Sequence, residues 1–566
     1  MAVRKSLLFL GLLALVHPAF PAGKPNIVLI SLESVRADRV GFLGAKSKIT
    51  PNLDALAAQG IVFQHAYTQA PTTVVSEATI LTGTYPQSHK MTEFADRLSA
   101  SVPFMPEILR ARGYHTAAFV GTIELDPRAG DAPGFERGFE RYDAGFTRPT
   151  RGKTSHQTVR RNGAEVAARA ASWLSVTQSP FFVWVQLSDA DISTAGSYNS
   201  GLTAADSAVG KLVASLRAKK MFDDTIIAVV GDHGQSLGAH GEDAHGVFLY
   251  EETVCVPLVL KLPSSYPGRA ALSTLVKAKA SLVSVASSLF EAAGIPVPSQ
   301  MQGQSLLRLA KGTALDQPVY SRSDFSQQAF GMSLLESWRA NKYLYIRAPQ
   351  PELYDLTVDP DASHNLATSA KATLDTMAGQ LASFSQHFDG SSTKAGLTSA
   401  EMQKLASLGY VGLQKTSSTA TTVAGIDPKD QVRLVNKVLE AKALNEDGKP
   451  ERASGILQHV IGETGKMYLA QYTMGESFFE LQQYAKAIEY LHKAIELQPN
   501  STWAHYEMGA SLIKTGDYKT AVVHLEIAAS RLEQFPEAHN LLAEAYEHSG
   551  KTEEAKRERK KFSVPR

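Results

Sequence analysis

The chain is short of three things, and each shortage excludes something. Only one of its 566 residues is cysteine, so no intramolecular disulfide can form and stability has to come from packing. Charge of one sign is not in excess: 57 Lys and Arg face 56 Asp and Glu, which leaves no overall field to draw in nucleic acid or an anionic membrane. The basic stretch from Lys556 to Lys561 reads as the solvated end of a helix, and no nucleic-acid partner is expected. Long apolar runs are also missing, with one exception at the start. Leu7 to Val16 is too short to span a bilayer comfortably, but it follows Arg4 and Lys5 and precedes Pro18-Ala19-Phe20-Pro21-Ala22-Gly23. That order of basic, apolar and small residues is a secretory signal peptide over residues 1–22, which predicts a secreted or periplasmic protein with no transmembrane span after cleavage. The single cysteine, Cys255, lies within the apolar run Val254 to Leu260 and reads as a core strand residue rather than a nucleophile.

What is present divides into two kinds of pattern. From Asn26 to about Ser299, short runs apolar on both faces (Ile27 to Leu32, Thr116 to Val120, Phe181 to Leu187, Thr225 to Val230) alternate with helical patterns at Leu53 to Gln59 and Ala204 to Leu216. This predicts an α/β domain, residues 24–310, with a mixed, largely parallel sheet flanked by helices. Ligands in such sheets sit beyond the carboxyl ends of the strands, which singles out Glu33, Asp189 and Asp232. A subdomain over 311–412 follows, in which Lys342 to Ile346 and Glu352 to Leu356 flank a Pro-containing turn and predict a small antiparallel sheet. Residues 413–428, with the polar Lys415 to Thr422, read as a linker. Beyond it the sequence repeats. Ala453, Ala487, Ala521 and Ala555 are spaced 34 apart, as are Leu444, Phe478, Leu512 and Tyr546, and Gly448, Gly516 and Gly550 share the grid with Gln482. Residues 429–566 therefore resemble an all-α array of tetratricopeptide (TPR) repeats, which implies a concave groove open to a protein or peptide partner. The linker composition predicts that 24–412 and 429–566 fold separately.

Three residue clusters carry chemistry: Glu33-Ser34-Val35-Arg36 after the first strand, Thr72-Thr73-Val74-Val75-Ser76-Glu77, and Asp232-His233-Gly234 with His240-Gly241-Glu242 and His245-Gly246. Carboxylates and imidazoles converging at strand ends suit a divalent ion, and a hydroxyl placed beside one can be activated as a nucleophile. Together with Thr50-Pro51-Asn52, Leu81-Thr82-Gly83, Leu249-Tyr250-Glu251-Glu252 and Glu352-Leu353-Tyr354-Asp355-Leu356, these clusters make the stretch from about Pro25 to Gly412 resemble a sulfatase of the alkaline-phosphatase superfamily. The resemblance implies an alkaline-phosphatase-like fold, a metal-dependent hydrolase and a covalent intermediate on the residue that aligns with Thr73.

The chain also departs from that family. Thr73, Val75, Ser76 and Glu77 stand where sulfatases carry the cysteine that becomes formylglycine and its Pro-Ser-Arg, Glu33 stands for the usual Asp, and Gln186 stands where a His is often found. Glu33, Thr73, Asp232 and His233 also resemble the single-metal site of phosphoethanolamine transferases and lipoteichoic acid synthases. The implied reaction is cleavage of a sulfate or phosphate ester, or transfer from one, by Thr73 beside one divalent ion (Ca, Mg, Mn or Zn) held by Glu33, Asp232, His233 and Thr73. Arg36 and His245 are further catalytic candidates, and Arg36, His240 and Glu77 are candidates for substrate binding. The alternative is a catalytically inactive shell that binds partners through its repeat array. N-terminal sequencing of the exported protein should find a start within a few residues of Gly23; an intact Met1 on cytoplasmic protein would overturn the export assignment.

Overall fold

The computed structural model of the chain describes residues 23–94, 96–146, 160–191, 198–388, 397–408, 410 and 425–561. The expected signal peptide and most of the expected linker fall outside the described residues. Two sheets and a helical array make up the rest. Strands β1 (Asn26–Leu32), β2 (Ile61–Tyr67), β3 (His115–Phe119), β4 (Arg141–Asp143), β5 (Phe181–Leu187), β6 (Thr225–Gly231), β7 (Cys255–Lys261), β8 (Leu275–Val276) and β9 (Ala280–Ser281) form one sheet. Its order is β4-β3-β5-β1-β6-β7-β2-β8, with β9 also paired to β2. Pairing is parallel from β4 to β6 and antiparallel on both sides of β7.

The apolar run of β1 is buried along its whole length because both of its faces are covered. Ile27 and Leu29 point into one core with Val74 and Ala78 of the helix Thr73–Thr82, while Val28, Ile30 and Leu32 point into the other with Leu202 and Val209 of the helix Tyr198–Ala218. This is the period-two alternation of a doubly covered strand. Register then places the site. Leu32 pairs with Leu187 of β5 on one side and with Gly231 of β6 on the other, so the three strands end at one level. The ladder continues for one more step through Glu33 N–H to the Leu187 carbonyl and Asp232 N–H to the Leu32 carbonyl. Glu33 and Asp232 are thereby fixed side by side.

The smaller sheet has four antiparallel strands, β10 (Val319–Ser323), β11 (Leu335–Ala340), β12 (Tyr343–Arg347) and β13 (Glu352–Asp355), rather than the two legible in the sequence. The helix Lys371–Gln386 packs on it through Met377 and Leu381.

The array begins with the helix Pro428–Glu446 and continues in antiparallel pairs to the helix Thr552–Lys560. Its 34-residue grid has a physical basis at two kinds of position. Gly448, Gly516 and Gly550 end helices with left-handed φ of 68°, 83° and 79°, and Gln482 adopts φ 59° in the fourth slot, where it bears the strain that glycine avoids. Gly475 and Gly509 lie against Leu491 and Leu525, and a Cβ on either glycine would sit 2.7 or 2.4 Å from the leucine Cγ.

The array is not separate from the rest. The helices Tyr468–Glu480 and Thr502–Thr515 are buried nearly all round, whereas Tyr484–Leu497 buries only a stripe. The α/β unit supplies much of what covers them: Tyr468 meets Phe94 edge to face, and Trp503 Nε1 donates to Asp131 at 2.6 Å. Further polar contacts join Asn436 to the Gly241 carbonyl, Lys429 to Glu352, Gln534 to Glu136 and Arg97 to Glu533. These contacts join the two units expected to fold separately, and they cover the two inner helices that a peptide would need. A linker composition reports only that its own residues cannot pack; it carries no information about the faces on either side of it.

Tyr410 ties the end of the sulfatase-like segment to the array through a buried relay. The Pro499 carbonyl can only accept, so His505 Nε2 carries the proton; His505 Nδ1 then accepts from His524 Nδ1 at 2.9 Å, and His524 Nε2 accepts from the Tyr410 hydroxyl at 3.4 Å. Burial pushes His505 from 6.5 down to about 4, so the unfolded chain takes up its proton first as pH falls. Stability is full above about pH 6.5 and declines toward pH 4, by about 3 kcal/mol for this group. Urea titrations at pH 7 and 4.5 should show the loss, and it should be smaller in His505→Gln.

Candidate active site

Thr73 opens its helix, with Thr72 in extended conformation before it, and its hydroxyl lies 3.0 Å from His233 Nε2. His233 Nδ1 donates to the Gly234 carbonyl at 2.8 Å, so Nε2 bears a lone pair and accepts from Thr73. Burial holds His233 neutral, with its pKa at about 4. His245 stacks obliquely on His233 at 4.3 Å between ring centres, donates from Nδ1 to the Pro71 carbonyl, and is likewise lowered to about 4 by burial and by His233. Asp232 Oδ1 accepts from the backbone N–H groups of His233 at 2.6 Å and Ser34 at 3.2 Å, while its Oδ2 has no partner. Ser76 donates to the Asp232 carbonyl at 2.6 Å, which fastens the first turn of the Thr73 helix to the end of β6.

Sequence and structure agree on the position of Glu33 but not on its partners. Glu33 Oε1 accepts from Arg160 Nη1 at 2.9 Å and Oε2 from Gln186 Nε2 at 2.7 Å, and Arg160 also grips Asp191. The Gln186 carbonyl oxygen accepts from the Gly121 N–H, so this side chain is a fixed bridge. Arg160 escaped the sequence reading because nothing near it forms a motif; its guanidinium meets Glu33 and Asp191 only through tertiary contact. Burial raises the pKa of Glu33, Asp232 and Glu77 well above the usual carboxylate range, and at Glu33 the Arg160 charge works against that rise.

The remaining candidates separate. Glu77 is fully buried one turn after Thr73, with the Ser31 hydroxyl beside its carboxylate. Arg36 is held away from the cluster by Asp38 on one edge and by the Gln235 and Ser236 carbonyls on the other. His240 does not join the site either: it stacks on Tyr250 at 3.6 Å with Nδ1 on Glu252 and Nε2 toward the Ala362 carbonyl. Burial opposes its charge, but Glu252 outweighs burial and raises its pKa. Asp189 accepts from the Gly163 N–H at the start of another helix, outside the cluster. Two groups come in from segments the sequence did not mark. Glu93 accepts from the Val74 and Val75 N–H groups at the Thr73 helix terminus, and Arg322 of β10 lines the same narrow crevice with Pro71, Thr72 and Phe94.

The sulfatase family profile matches residues 25–295, and the profile for the C-terminal part of N-sulphoglucosamine sulphohydrolase matches residues 241–386. The chain belongs to the sulfatase family. A TPR repeat profile matches residues 475–516 of the array. The sulfatase-family segment is 24% identical to N-acetylgalactosamine-6-sulfatase of Mus musculus over 56% of this chain and 72% of the relative. It is also 24% identical to choline-sulfatase of Rhizobium meliloti, over 62% and 84%. Among solved structures it shares its fold with a phosphonate monoester hydrolase of Agrobacterium radiobacter, at TM-score 0.54 and 19% identity, over 64% of this chain and 96% of that one.

Sulfatase-family enzymes are metal-dependent, which makes the donor set a question of fit. Among the described residues no group of three or more His, Cys, Asp or Glu side chains is already arranged around one point. Glu33 is committed to Arg160 and Gln186, but Asp232 Oδ2 is buried without a partner, Glu77 is buried beside the neutral Ser31 hydroxyl, and His233 Nε2 presents a lone pair to Thr73. That set of oxygen and imidazole donors fits a divalent cation.

The Arg160 contact can be tested on stability alone. Replacing Arg160 with Met leaves Glu33 and Asp191 buried beside an uncompensated charge, and urea denaturation should show a loss of about 3–5 kcal/mol. A loss under about 1 kcal/mol would mean that Arg160 does not hold Glu33.

Proposed function

We propose that this sulfatase-family domain cleaves sulfate or phosphate esters with Thr73 as nucleophile and a single divalent cation as cofactor. The observation that carries the reading is the 3.0 Å contact between the Thr73 hydroxyl and a neutral His233 Nε2, both buried. When bound, a cation held by Asp232, His233 and Thr73 would lower the pKa of the hydroxyl and offset charge on the transferred group.

The chain's own residues supply the rest. Thr73 Oγ1, its proton lost to solvent once the hydroxyl pKa is lowered, attacks the sulfur or phosphorus centre, and the ester oxygen departs with a proton from a nearby acid to give a covalent threonine ester. Glu93 is the acid best placed for that departing oxygen. Burial and the neighbouring Glu124 raise its pKa to about 8, so it carries a proton at neutral pH, and it lies beside Val74 at the same helix terminus. His245 takes a different part from the one its sequence motif implied. Its Nδ1–H is bound to a carbonyl and its ring is neutral, so Nε2 is a base for the water that releases the ester, not a proton donor. Arg322, paired with Asp324, lines the crevice beside Thr72 and Glu93 and is the cation for the oxygens of an anionic group there. The reading as a pure binding shell loses support from the array, whose inner helices are already covered by the α/β unit.

Three variants test the nucleophile against aryl sulfates and phosphate mono- and diesters. Thr73→Ala should lower turnover by at least about 1000-fold with the fold intact, because the attacking atom is gone. Thr73→Ser should retain measurable turnover, and His233→Ala should lose nearly as much as Thr73→Ala. A Thr73→Ala protein that matches the parent on every ester the parent cleaves would refute the mechanism.

A further inference from the structure

Among the described residues, the buried oxygens left without a close hydrogen-bond partner include Asp232 Oδ2 and the carboxylate of Glu77, which has the Ser31 hydroxyl beside it but no cationic group. Both residues are 0% exposed, so water does not stand in. A carboxylate in that state needs a cation or a proton. A proton alone is a poor answer here. One proton cannot answer for both residues: a neutral Glu77 could bond the Ser31 hydroxyl, but Asp232 Oδ2 would still face no donor. Glu33, the carboxylate that the family resemblance marks as ligand, is in the opposite condition, with an ion pair on one oxygen and an amide N–H on the other.

We propose that the cation of this site is held by Glu77 together with Asp232, His233 and Thr73, and that Glu33 is a positioning residue clamped by Arg160 and Gln186. The proposal rests on the single-cation reading above and changes one ligand. Thr73 and Glu77 are four residues apart in one helix and share a face. Ser76, between them, is bonded to the Asp232 carbonyl, so this turn is fixed against the end of β6 where Asp232 and His233 stand. Final convergence on an ion is left to the side-chain torsions of Glu77, which has only a neutral hydroxyl, that of Ser31, to give up. Glu33 instead gives up its charge to Arg160, which also holds Asp191, and this triad forms a rigid floor beneath the site.

The test measures metal content and thermal stability of the purified full-length protein, with activity left aside. Parent, Glu77→Gln, Glu77→Asp, Asp232→Asn and Glu33→Gln are equilibrated with Zn, Mn, Mg or Ca, dialysed and analysed by elemental mass spectrometry. Each is then melted with and without EDTA, and circular dichroism confirms folding. The parent should retain about one ion per chain and be destabilised by EDTA. Glu77→Gln and Asp232→Asn should bind at least about tenfold more weakly than Glu33→Gln, which should stay close to the parent. Glu77→Asp, which keeps the charge with a shorter reach, should be intermediate. In EDTA, Glu77→Gln should melt above the parent because the uncompensated buried charge is gone. If Glu33→Gln loses the ion and Glu77→Gln keeps it, the proposal fails while the single-cation reading survives with the family's ligand set. A parent that retains no ion defeats both.

Discussion

Negative charge buried at the ends of three parallel strands is the constraint around which the catalytic half is organised. Glu33, Glu77, Asp191 and Asp232 are all nearly excluded from water within one cluster, and Arg160 is the guanidinium placed among them. Strand register forces Glu33 and Asp232 together, so their repulsion cannot be relieved by moving the backbone. It has to be met locally, and the structure does so with unequal means. Glu33 and Asp191 have a permanent counter-ion. Asp232 has two backbone N–H groups on one oxygen and no partner on the other, and Glu77 has the neutral Ser31 hydroxyl beside it. A cluster compensated on one side and open on the other leaves room for further positive charge on the open side.

What the sequence made legible follows from the range of the forces involved. The strands β1, β5 and β6 and the helix after β5 were readable because burial on both faces imposes a local pattern of apolar residues. Asp232, His233 and Thr73 were readable because each directly follows or opens such an element. β10 and β11 were not, since their alternation is interrupted by the half-buried Arg322 and the buried Arg339 and Glu336, which form ion pairs with one another and with Glu251. Arg160 and Glu93 were invisible for the same reason: each is defined by a partner more than fifteen residues away. His240 and Arg36 show the converse. Their motif context is intact, yet Glu252 and Asp38, both close in sequence, draw them out of the site.

The array poses a different physical problem from the sheet. A tetratricopeptide helix normally shows one face to its neighbours and another to solvent or a ligand, but the helices Tyr468–Glu480 and Thr502–Thr515 are apolar or buried on nearly every side. Such helices need a cover, and Phe94, Asp131 and the segments around them provide it. The same segments carry Glu93 and Glu124, whose raised pKa values come first from burial. Lys442, on the first helix of the array, feels Glu446 most strongly and then Glu124, and it acts in return to lower the Glu124 pKa. The array therefore contributes to the field around Glu124. By holding Glu124 closer to its charged form, Lys442 favours the proton on Glu93, and so the repeat array is coupled electrostatically to the terminus of the Thr73 helix.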